Sequence, residues 1–331
     1  MSPATPPPLP SADELLERAR VVALPMRTRF RGVDVREAML VEGPAGWAEF
    51  SAFPEYGDAE AARWLASCVE MGWSGPPPAL RDRVEVNATV PAVPAGDVAE
   101  LLERCPGCTT VKVKVAEPGQ RLADDVARVE AVRAARPGAR VRCDANMGWT
   151  PDAAVAAARA LGDLDYLEQP CRTVAELAEV RARVRAEGLP VRVAADESIR
   201  KADDPWEVVR LKAADVAVVK AAPLGGPRAL VDLGLRLADH GVALTVSSAL
   251  ETAVGMHAGL VAAAALPDPQ PCGLATGSLF AEDVCAPRAL VDGHLAVAPA
   301  VPDPDRMDAL AAPGDRRDWW LDRARRCLRL L

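Results

Sequence analysis

The chain has 331 residues, of which 50% are hydrophobic and 26% charged, a balance typical of a globular protein. Its length exceeds what one small domain needs and suits a barrel with a further domain attached. The net charge is −8, and no cluster of Lys and Arg is interleaved with aromatic residues, which argues against a nucleic-acid partner.

The N-terminus has no basic segment followed by an apolar one, so no secretion signal is expected. The longest apolar run, residues 253–266, contains His257 and is too short to cross a bilayer, so we interpret it as a buried helix. Both observations predict a cytoplasmic protein without a membrane partner.

In a reducing compartment the eight cysteines are expected to be free thiols. Cys105 and Cys108 have the spacing of metal ligands, but the chain has no second pair of this kind and only three histidines. We therefore expect a loop with two thiols and no structural zinc. The scarcity of histidine also argues against a Ser-His-Asp hydrolase.

The first part of the chain reads as three extended segments followed by a helix. The pattern predicts strands over 19–26, 35–43 and 46–52 and a helix over 58–71. Three prolines at 76–78, with a short helix expected after them, mark a boundary near residue 83.

Beyond this boundary, short apolar strands alternate with helical segments rich in Ala, Leu and Arg. Eight candidate strands fit a barrel of alternating strands and helices better than an open sheet. They are VEVNATVPA, TVKVKVA, ARVRCDAN, LDYLEQP, VRVAADES, DVAVVKAAP, VALTVSSAL and CGLATG.

The chain ends in an amphipathic segment, residues 317–331. Trp319, Trp320, Leu321 and Leu328 lie on its apolar stripe. We expect this helix to dock on the N-terminal region and not on a partner or a membrane.

Five successive predicted strands each end in one charged residue: Lys114, Asp144, Glu168, Asp196 and Lys220. Their intervals of 30, 24, 28 and 24 residues each match one strand and helix of a barrel. Catalytic residues of such barrels lie at the C-terminal ends of the strands. The alternative, unrelated ion pairs along the barrel, does not explain why all five fall on one rim.

Three carboxylates that converge on one point repel one another unless a cation neutralises them. Hard oxygen ligands select Mg²⁺, with Mn²⁺ as a possible substitute, so Asp144, Glu168 and Asp196 are the predicted metal ligands. Lys114 and Lys220 then approach the metal from opposite sides. An amine beside a dication and a second amine loses its proton more easily, and a neutral lysine is a base.

This assembly predicts removal of a proton next to a carboxylate. A substrate carboxylate on the metal gives an enediolate, whose developing charge the metal stabilises. Lys114 is the predicted base. Lys112 shares its face in VKVKV and would support it electrostatically, although an antiparallel strand with solvated lysines is an alternative explanation of that pattern.

Three further polar residues are predicted near the site. Arg142 precedes Asp144 by two residues and faces inward, so we expect it to pair with the ligand carboxylates or with neighbours of Glu168. Asn146 is expected to face the site. Glu197 should point out of the barrel by alternation, or else pair with Lys112 or Lys220.

These residues carry a resemblance to the enolase superfamily, of the muconate-lactonising-enzyme subgroup. The matching motifs are VKVKV, DAN at 144–146, EQP at 168–170, DES at 196–198 and VVK at 218–220. Within this subgroup the chain most resembles the o-succinylbenzoate synthase family of actinobacterial type. Its longer cues are LPMRTRFRGVDVREAMLVEG, GWAEFSAFPEY, SSALETAVG and GLATGSLFAEDV.

The resemblance implies an α/β fold, a modified TIM barrel (β/α)7β with an α+β capping domain. Residues 84–299 would form the barrel, and residues 1–83, completed by the C-terminal segment 300–331, would form the cap. The implied reaction is the syn dehydration of a small-molecule carboxylate, 2-succinyl-6-hydroxy-2,4-cyclohexadiene-1-carboxylate, to o-succinylbenzoate in menaquinone synthesis.

The resemblance also implies roles for single residues. Lys114 would remove the α-proton and then, as the conjugate acid, assist departure of hydroxide, while Lys220 would remain a cation that stabilises the enediolate. Residues 26–32, MRTRFRG, resemble a mobile capping loop that closes over the substrate. The residues expected at the succinyl tail are Ser247, Ser248, Thr276 and Gly277, which could instead be ordinary loop residues.

Other functions stay open at this point. With lysines on both sides of a substrate, the same site could racemise N-acylamino acids or epimerise dipeptides. A dipeptide epimerase should carry an acidic anchor on the eighth-strand loop, and GLATGSLF has none. A Schiff-base aldolase or lyase using Lys220 would leave the carboxylates without a purpose, and a binding protein would not need all five residues. The oligomeric state is also open.

Overall fold

The structure is a computed structural model that describes residues 9–30, 32–200 and 206–331, without the side chains of residues 28–30 and 200. Its strands, numbered in chain order, are β1 Ala19–Phe30, β2 Val33–Gly43, β3 Gly46–Phe50, β4 Arg83–Glu85, β5 Ala88–Val90, β6 Thr110–Lys114, β7 Arg140–Asp144, β8 Tyr166–Glu168, β9 Arg192–Ala195, β10 Val216–Val219, β11 Ala243–Val246, β12 Leu290–Val291 and β13 His294–Ala296.

The α-helices are α1 Ala12–Glu17, α2 Asp58–Val69, α3 Val98–Glu103, α4 Leu122–Ala135, α5 Pro151–Leu161, α6 Val174–Ala186, α7 Glu197–Arg200, α8 Glu207–Arg210, α9 Ala221–Leu224, α10 Pro227–Ala238, α11 Met256–Ala265, α12 Pro304–Ala309 and α13 Gly314–Leu328. Short 3₁₀ turns cover Ala95–Asp97 and Thr276–Leu279, and a π-helical turn, Glu70–Ser74, extends α2.

The strands from β5 to β11 form one parallel sheet in sequence order, with helices in every connection. The segment at Cys272 and Gly273 closes the ring, because Gly273 bridges Ser247 after β11 and Cys272 bridges Val86 before β5, both in parallel. Seven strand–helix units and a final short strand make up the ring. The predicted modified TIM barrel (β/α)7β is therefore confirmed.

Local sequence signals explain how the barrel helices begin. The Thr173 hydroxyl accepts from the Glu176 amide while the Glu176 carboxylate accepts from the Thr173 amide, as the capping-box pattern predicts. The Thr150 hydroxyl caps α5, whose first residue is Pro151. Strands such as β10 are buried on both faces, as parallel barrel strands must be.

The N-terminal strands β1, β2 and β3 form an antiparallel sheet, and the C-terminal helix α13 packs on it and on α2. The indole Nε1 of Trp320 donates to Glu37 at 2.9 Å, and the buried guanidinium of Arg323 donates to the carbonyls of Ala52, Phe53 and Tyr56. The predicted docking of the C-terminal helix on the N-terminal region is confirmed. The domain boundaries near residues 83 and 300 stay a prediction.

The N-terminal sheet touches the barrel near its eighth strand. Met26 of β1 bridges Phe280, and the amide of Ala281 donates to the carbonyl of Pro25 at 2.8 Å. The segment predicted as a capping loop, residues 26–32, therefore begins as part of β1. Residue 31 and the side chains of residues 28–30 lie outside the described residues.

Two smaller expectations have opposite outcomes. The short helix expected after the prolines at 76–78 is wrong, because residues 75–82 contain no helix. The interpretation of residues 253–266 as a buried helix is confirmed by α11, which is buried from Met256 to Ala264. Among the described helices, none has the length and apolar character that crossing a membrane requires.

The eight cysteines are free, as predicted, and all of them are buried. Cys105 and Cys108 lie in the loop between α3 and β6, and hydrogen bonding between the two thiols lowers the pKa of Cys105. The Cβ that a larger residue would bring to Gly107 in this loop would lie 2.5 Å from the backbone of Asp292, so the loop packs tightly against the β12–β13 hairpin.

Candidate active site

The five predicted residues lie on one rim of the barrel, at the C-terminal ends of neighbouring strands. Lys114, Asp144 and Glu168 end β6, β7 and β8, and the strand register pairs Lys114 with Asp144 and Asp144 with Glu168. Asp196 and Lys220 directly follow β9 and β10. Parallel strands in register thus bring residues together that are far apart in the chain.

The lysines and carboxylates form a network of short ion pairs. Lys114 Nζ lies 2.6 Å from Asp144 Oδ2, and Lys220 Nζ lies 2.8 and 2.6 Å from the two oxygens of Asp196. Lys112 Nζ lies 3.1 and 3.2 Å from the two oxygens of Glu168 and 3.3 Å from Asp144 Oδ2. Three lysine side chains therefore face three buried acidic side chains.

Burial and charge act on these groups in opposite directions. Burial alone would raise the pKa of Asp144, but the ammonium groups of Lys114 and Lys112 outweigh it and hold that pKa far below its usual value. For Glu168, burial and the Asp144 carboxylate prevail over Lys112 and raise the pKa to about 8. Burial opposes the charge of Lys112, but the carboxylates of Glu168 and Asp144 raise its pKa above the ordinary value.

The donor set suits a hard divalent cation. Three buried acidic side chains lie at the ends of neighbouring strands, and burial, followed by the negative charge of Asp144, raises the pKa of Glu168. A divalent cation would offset that charge. In the part of the chain that the structure describes, no three acidic, His or Cys side chains surround one point closely enough to hold a metal ion. The carboxylates of Glu168 and Asp196 instead face Lys112 and Lys220, so a bound cation would share them with these ammonium groups.

Backbone geometry behind the rim depends on Gln169, which sequence reasoning missed. Its Oε1 accepts from the amides of Asp196 at 3.0 Å and Ser198 at 3.1 Å, and its Nε2 donates to the Ser198 hydroxyl. Gln169 has a φ of +38°, unusual for a residue with a side chain. The EQP motif thus holds the DES motif in place, and a polar residue directly after a strand-end ligand is the signal that could have indicated it.

The supporting residues have mixed outcomes. Asn146 faces the site, because its Oδ1 accepts from Lys114 at 2.6 Å. Glu197 is buried, and its Oε1 lies 3.5 Å from the Asn146 Nδ2, so the expectation that Glu197 points out of the barrel is wrong. The Nζ of Lys112 contacts Asp144 and Glu168, the placement that its predicted electrostatic role requires.

Arg142 lies inside the barrel but below the rim. Its guanidinium pairs with Asp165 at 2.7 Å, bonds to Asn87 and the carbonyl of Pro271, and stacks on the Tyr166 ring. Of the two expected sets of partners, the ligand carboxylates are wrong, whereas neighbours of Glu168 are confirmed, because Asp165 and Tyr166 precede Glu168 by three and two residues. Arg142 lies two residues before Asp144 on β7, deeper in the barrel, and its long side chain reaches Asp165, which directly precedes β8.

A small cavity lies directly over the lysines and carboxylates. Ser247, Ser248 and Thr276 line it, and their contact with the succinyl tail stays a prediction. Thr89 of β5, which sequence reasoning missed, also lines it. Side chains of a strand point alternately to its two faces, and this alternation in the NATV stretch could have indicated that Thr89 points into the barrel. Gly277 does not line this cavity. It lines instead a second, larger cavity of about 1040 Å³, together with Leu274 and Arg104.

Comparisons with known proteins agree with this geometry. Residues 97–304 match the family described as enolase C-terminal domain-like, and residues 21–72 match the enolase N-terminal domain-like family. The chain is 60% identical, over 98% of both chains, to the o-succinylbenzoate synthase of Mycobacterium tuberculosis strain H37Rv. It is 58% identical to that of Mycolicibacterium smegmatis, over 98% of this chain and 99% of the relative.

Solved structures show the same fold. The muconate lactonizing enzyme from Pseudomonas putida superposes with a TM-score of 0.72 at 20% identity, covering 89% of this chain and 98% of the other. The L-Ala-D/L-Glu epimerase from Bacillus subtilis superposes with a TM-score of 0.69 at 21% identity, covering 84% and 94%. The chain therefore belongs to the enolase superfamily and, within it, to the o-succinylbenzoate synthase family.

Proposed function

We propose that this protein is an o-succinylbenzoate synthase, which dehydrates 2-succinyl-6-hydroxy-2,4-cyclohexadiene-1-carboxylate to o-succinylbenzoate. The observation that carries the chemistry is the placement of Lys114 and Lys220 on either side of three buried carboxylates. Relatives that are 58–60% identical over nearly the whole chain support this choice of substrate over others with the same chemistry.

In this proposal Lys114 is the general base. Its side-chain nitrogen lies in the cavity, between Asp144 and Asn146, and acts as the neutral amine on a substrate α-carbon within reach. After taking the proton, Lys114 holds it on the same face and delivers it to the departing hydroxide, a syn elimination. Asn146 orients Lys114 through the 2.6 Å contact.

Lys220 stays a cation throughout. Its Nζ lies within hydrogen-bond distance of both oxygens of Asp196 on the opposite side of the cavity, and an amine that serves there as a cation is not available as a Schiff-base nucleophile. From this side it stabilises the negative charge that develops on the substrate carboxylate as the proton leaves.

Members of the enolase superfamily use divalent metal ions. Asp144, Glu168 and Asp196 are the residues that would hold the cation, and their hard oxygens favour Mg²⁺, with Mn²⁺ as a substitute. A cation bound there supplies positive charge that attracts the substrate carboxylate and stabilises the enediolate.

The N-terminal region and the C-terminal segment serve as a cap in this proposal, residues 1–83 together with 300–331, over the barrel of residues 84–299. Support comes from α13, which packs on α2, and from β1, which reaches the loop at Phe280 and Ala281 beside the site. Ser247, Ser248 and Thr276 then face the succinyl tail of the substrate.

The proposal is tested by giving the purified protein the cyclohexadiene carboxylate with Mg²⁺ and following aromatisation in the ultraviolet. Parallel samples receive N-succinylamino acids and are followed for loss of optical activity, because lysines on both sides of a substrate also suit a racemase. Turnover of the second substrate alone would replace the proposed function by racemisation. Lys114→Ala should abolish turnover, while Lys212→Ala, an exposed lysine outside the site, should leave it unchanged.

A further inference from the structure

We propose that two buried charged residues of the N-terminal sheet, Arg36 and Glu49, act as positioning residues that hold one wall of the active-site cavity. The wall is the segment after β11, residues 247–255, which carries Ser247 and Ser248. The inference rests on the proposed function for its kinetic consequence, but its structural content does not depend on the substrate.

Glu49 lies on β3 and is 7% exposed. Its Oε2 accepts from the Thr252 amide at 3.0 Å, the Thr252 hydroxyl at 2.6 Å and the Gly255 amide at 3.2 Å. Its Oε1 accepts from the Ser51 hydroxyl at 2.5 Å. One carboxylate oxygen of the cap thus satisfies three donors of a barrel loop about 200 residues away in the chain.

Arg36 lies on the neighbouring strand β2 and is 2% exposed. Its Nε donates to the carbonyl of Leu250 at 3.0 Å, and its Nη2 bonds to the carbonyl of Ser51 and lies 3.5 Å from that of Ala249. Arg36 therefore holds carbonyl groups of the same segment whose amide groups Glu49 holds. Leu250, with a φ of +62°, adopts a backbone conformation that side chains disfavour and that such external contacts maintain.

The held segment connects directly to the cavity. The Ser248 hydroxyl donates to Glu251 Oε2 at 2.8 Å, and it accepts from the Leu250 amide at 2.9 Å and from the Thr276 hydroxyl at 2.7 Å. Glu251 also accepts from the Ala249 amide at 2.7 Å. A shift of the segment would move Ser248 and Thr276 together, on the side of the cavity where the substrate tail is expected.

Gly255 provides an independent sign of this contact. A Cβ at Gly255 would lie 2.5 Å from the Cδ and Oε2 atoms of Glu49, and its φ of −64° is one that any residue adopts. Glycine is therefore needed here because Glu49 approaches closely, and not because the backbone conformation requires it.

The expected consequence is a change in substrate binding with little change in chemistry. The hydrogen bonds of Glu49 go to Ser51, Thr252 and Gly255, and those of Arg36 go to backbone carbonyls, so proton removal at Lys114 should be preserved. Loss of Glu49 should loosen the tail-binding wall and raise KM by about tenfold or more, while kcat stays within about threefold.

The test compares Glu49→Ala with Glu49→Gln, which keeps one oxygen acceptor for Thr252 and Gly255, and with Glu42→Ala, an exposed neighbour on β2. Amide hydrogen exchange of residues 247–255 is measured without ligand, followed by the affinity for o-succinylbenzoate and by KM and kcat. Glu49→Ala should accelerate exchange in this segment, Glu49→Gln should restore much of the protection, and Glu42→Ala should match the wild type.

A double-mutant cycle with Gly255→Ala tests the contact itself. Gly255→Ala should raise exchange and KM in the wild type, but add little in the Glu49→Ala background, because the clashing carboxylate is gone. Should Glu49→Ala fail to fold, Thr252→Val removes one donor to Glu49 and should shift exchange and KM in the same direction by less.

Unchanged exchange in residues 247–255 after removal of the Glu49 carboxylate would overturn the inference, and so would additive effects in the cycle. Equal falls in kcat and kcat/KM would contradict a positioning role in binding. The exchange measurement needs no substrate. If the protein does not catalyse the proposed dehydration, the exchange of residues 247–255 still decides whether Glu49 holds this segment.

Discussion

Lys112 illustrates how a single residue balances charge inside the barrel. Its ammonium group contacts Glu168 and Asp144, and its side chain is only 9% exposed. Removing one partner of a buried ion pair leaves the other charge without compensation. The same lysine that supports the proposed base therefore also stabilises the fold.

Lys112→Met should lower the free energy of unfolding by about 3–5 kcal/mol in the presence of a chelator, because two buried carboxylates lose a cation. The matched control is Lys212→Met, at an exposed position, which should change stability by less than about 0.5 kcal/mol. Urea unfolding of both variants provides the measurement. Equal stability of the two would contradict the assigned role of Lys112.

Glu49 should make stability depend on pH. Burial raises its pKa to about 7 from the ordinary 4.5, in spite of the hydroxyls of Ser51 and Thr252 and the charge of Arg36, while Glu251 adds to the rise. Between pH 4.5 and 7 the folded protein keeps a proton on Glu49 that the unfolded chain has released. The free energy of unfolding therefore falls as pH rises through this window, by up to roughly 3 kcal/mol.

Glu49→Gln removes this contribution, so its stability relative to the wild type should increase from pH 5 to pH 8. Urea unfolding of both proteins at several pH values gives the difference, in which contributions from other groups such as Asp283 cancel. Cys68, whose thiol pKa is raised by burial and by Glu49, stays neutral in this range. A stability difference that does not change with pH would show that Glu49 is already ionised at pH 5.

At the scale of elements, α13 links the two ends of the chain. Trp320 is fully buried, packs edge-on against Phe50 of β3 at 5.4 Å between ring centres, and donates to Glu37 of β2. Trp319, the next residue towards the N-terminus, is only partly buried and stacks with Arg316 and Arg323. Two adjacent tryptophans on one helix thus have different environments.

Trp320→Ala should destabilise the protein by about 3–5 kcal/mol, because it leaves a large cavity and removes a hydrogen bond to Glu37. Trp319→Ala should cost about 1 kcal/mol or less, since its ring is not enclosed by the core. Thermal or urea unfolding distinguishes the two variants. A similar cost for both would mean that the helix does not pack as described.

At the scale of the whole molecule, the parallel register collects charged residues from five strands on one rim. A cation that binds only this assembled site binds the folded state and not the unfolded chain, and it therefore shifts the unfolding equilibrium. Stability thus reports metal binding without any turnover.

Addition of Mg²⁺ at 100 times its dissociation constant should stabilise the protein by about 2.7 kcal/mol, and EDTA should reverse the effect. Asp196→Asn should abolish the Mg²⁺-dependent shift in melting temperature. Asp165→Asn, a carboxylate that pairs with Arg142 below the rim, should retain it. A wild-type melting temperature that is indifferent to Mg²⁺ would contradict the proposed ligand set.

The barrel, the five rim residues and the C-terminal helix could all be predicted from the amino-acid sequence. Alternating strands and helices have distinct periods, and a charged residue at each strand end repeats at the length of one unit, so Lys114, Asp144, Glu168, Asp196 and Lys220 could be found by position alone. The VKVKV pattern likewise predicted that Lys112 and Lys114 share a face, and both contact Asp144.

The partners of long side chains and of side chains on loops could not be predicted in this way, because they depend on how distant elements pack. Arg142 extends to Asp165 and not to the rim, Glu197 is buried beside Asn146, and Gly277 lies outside the small cavity. The hydrogen bonds of Arg36 and Glu49 to the loop after β11 join residues about 200 positions apart. The hydrophobic periodicity of a single strand or helix cannot predict such a contact. Periodicity specifies the face on which a side chain starts, whereas its endpoint depends on how separate elements pack.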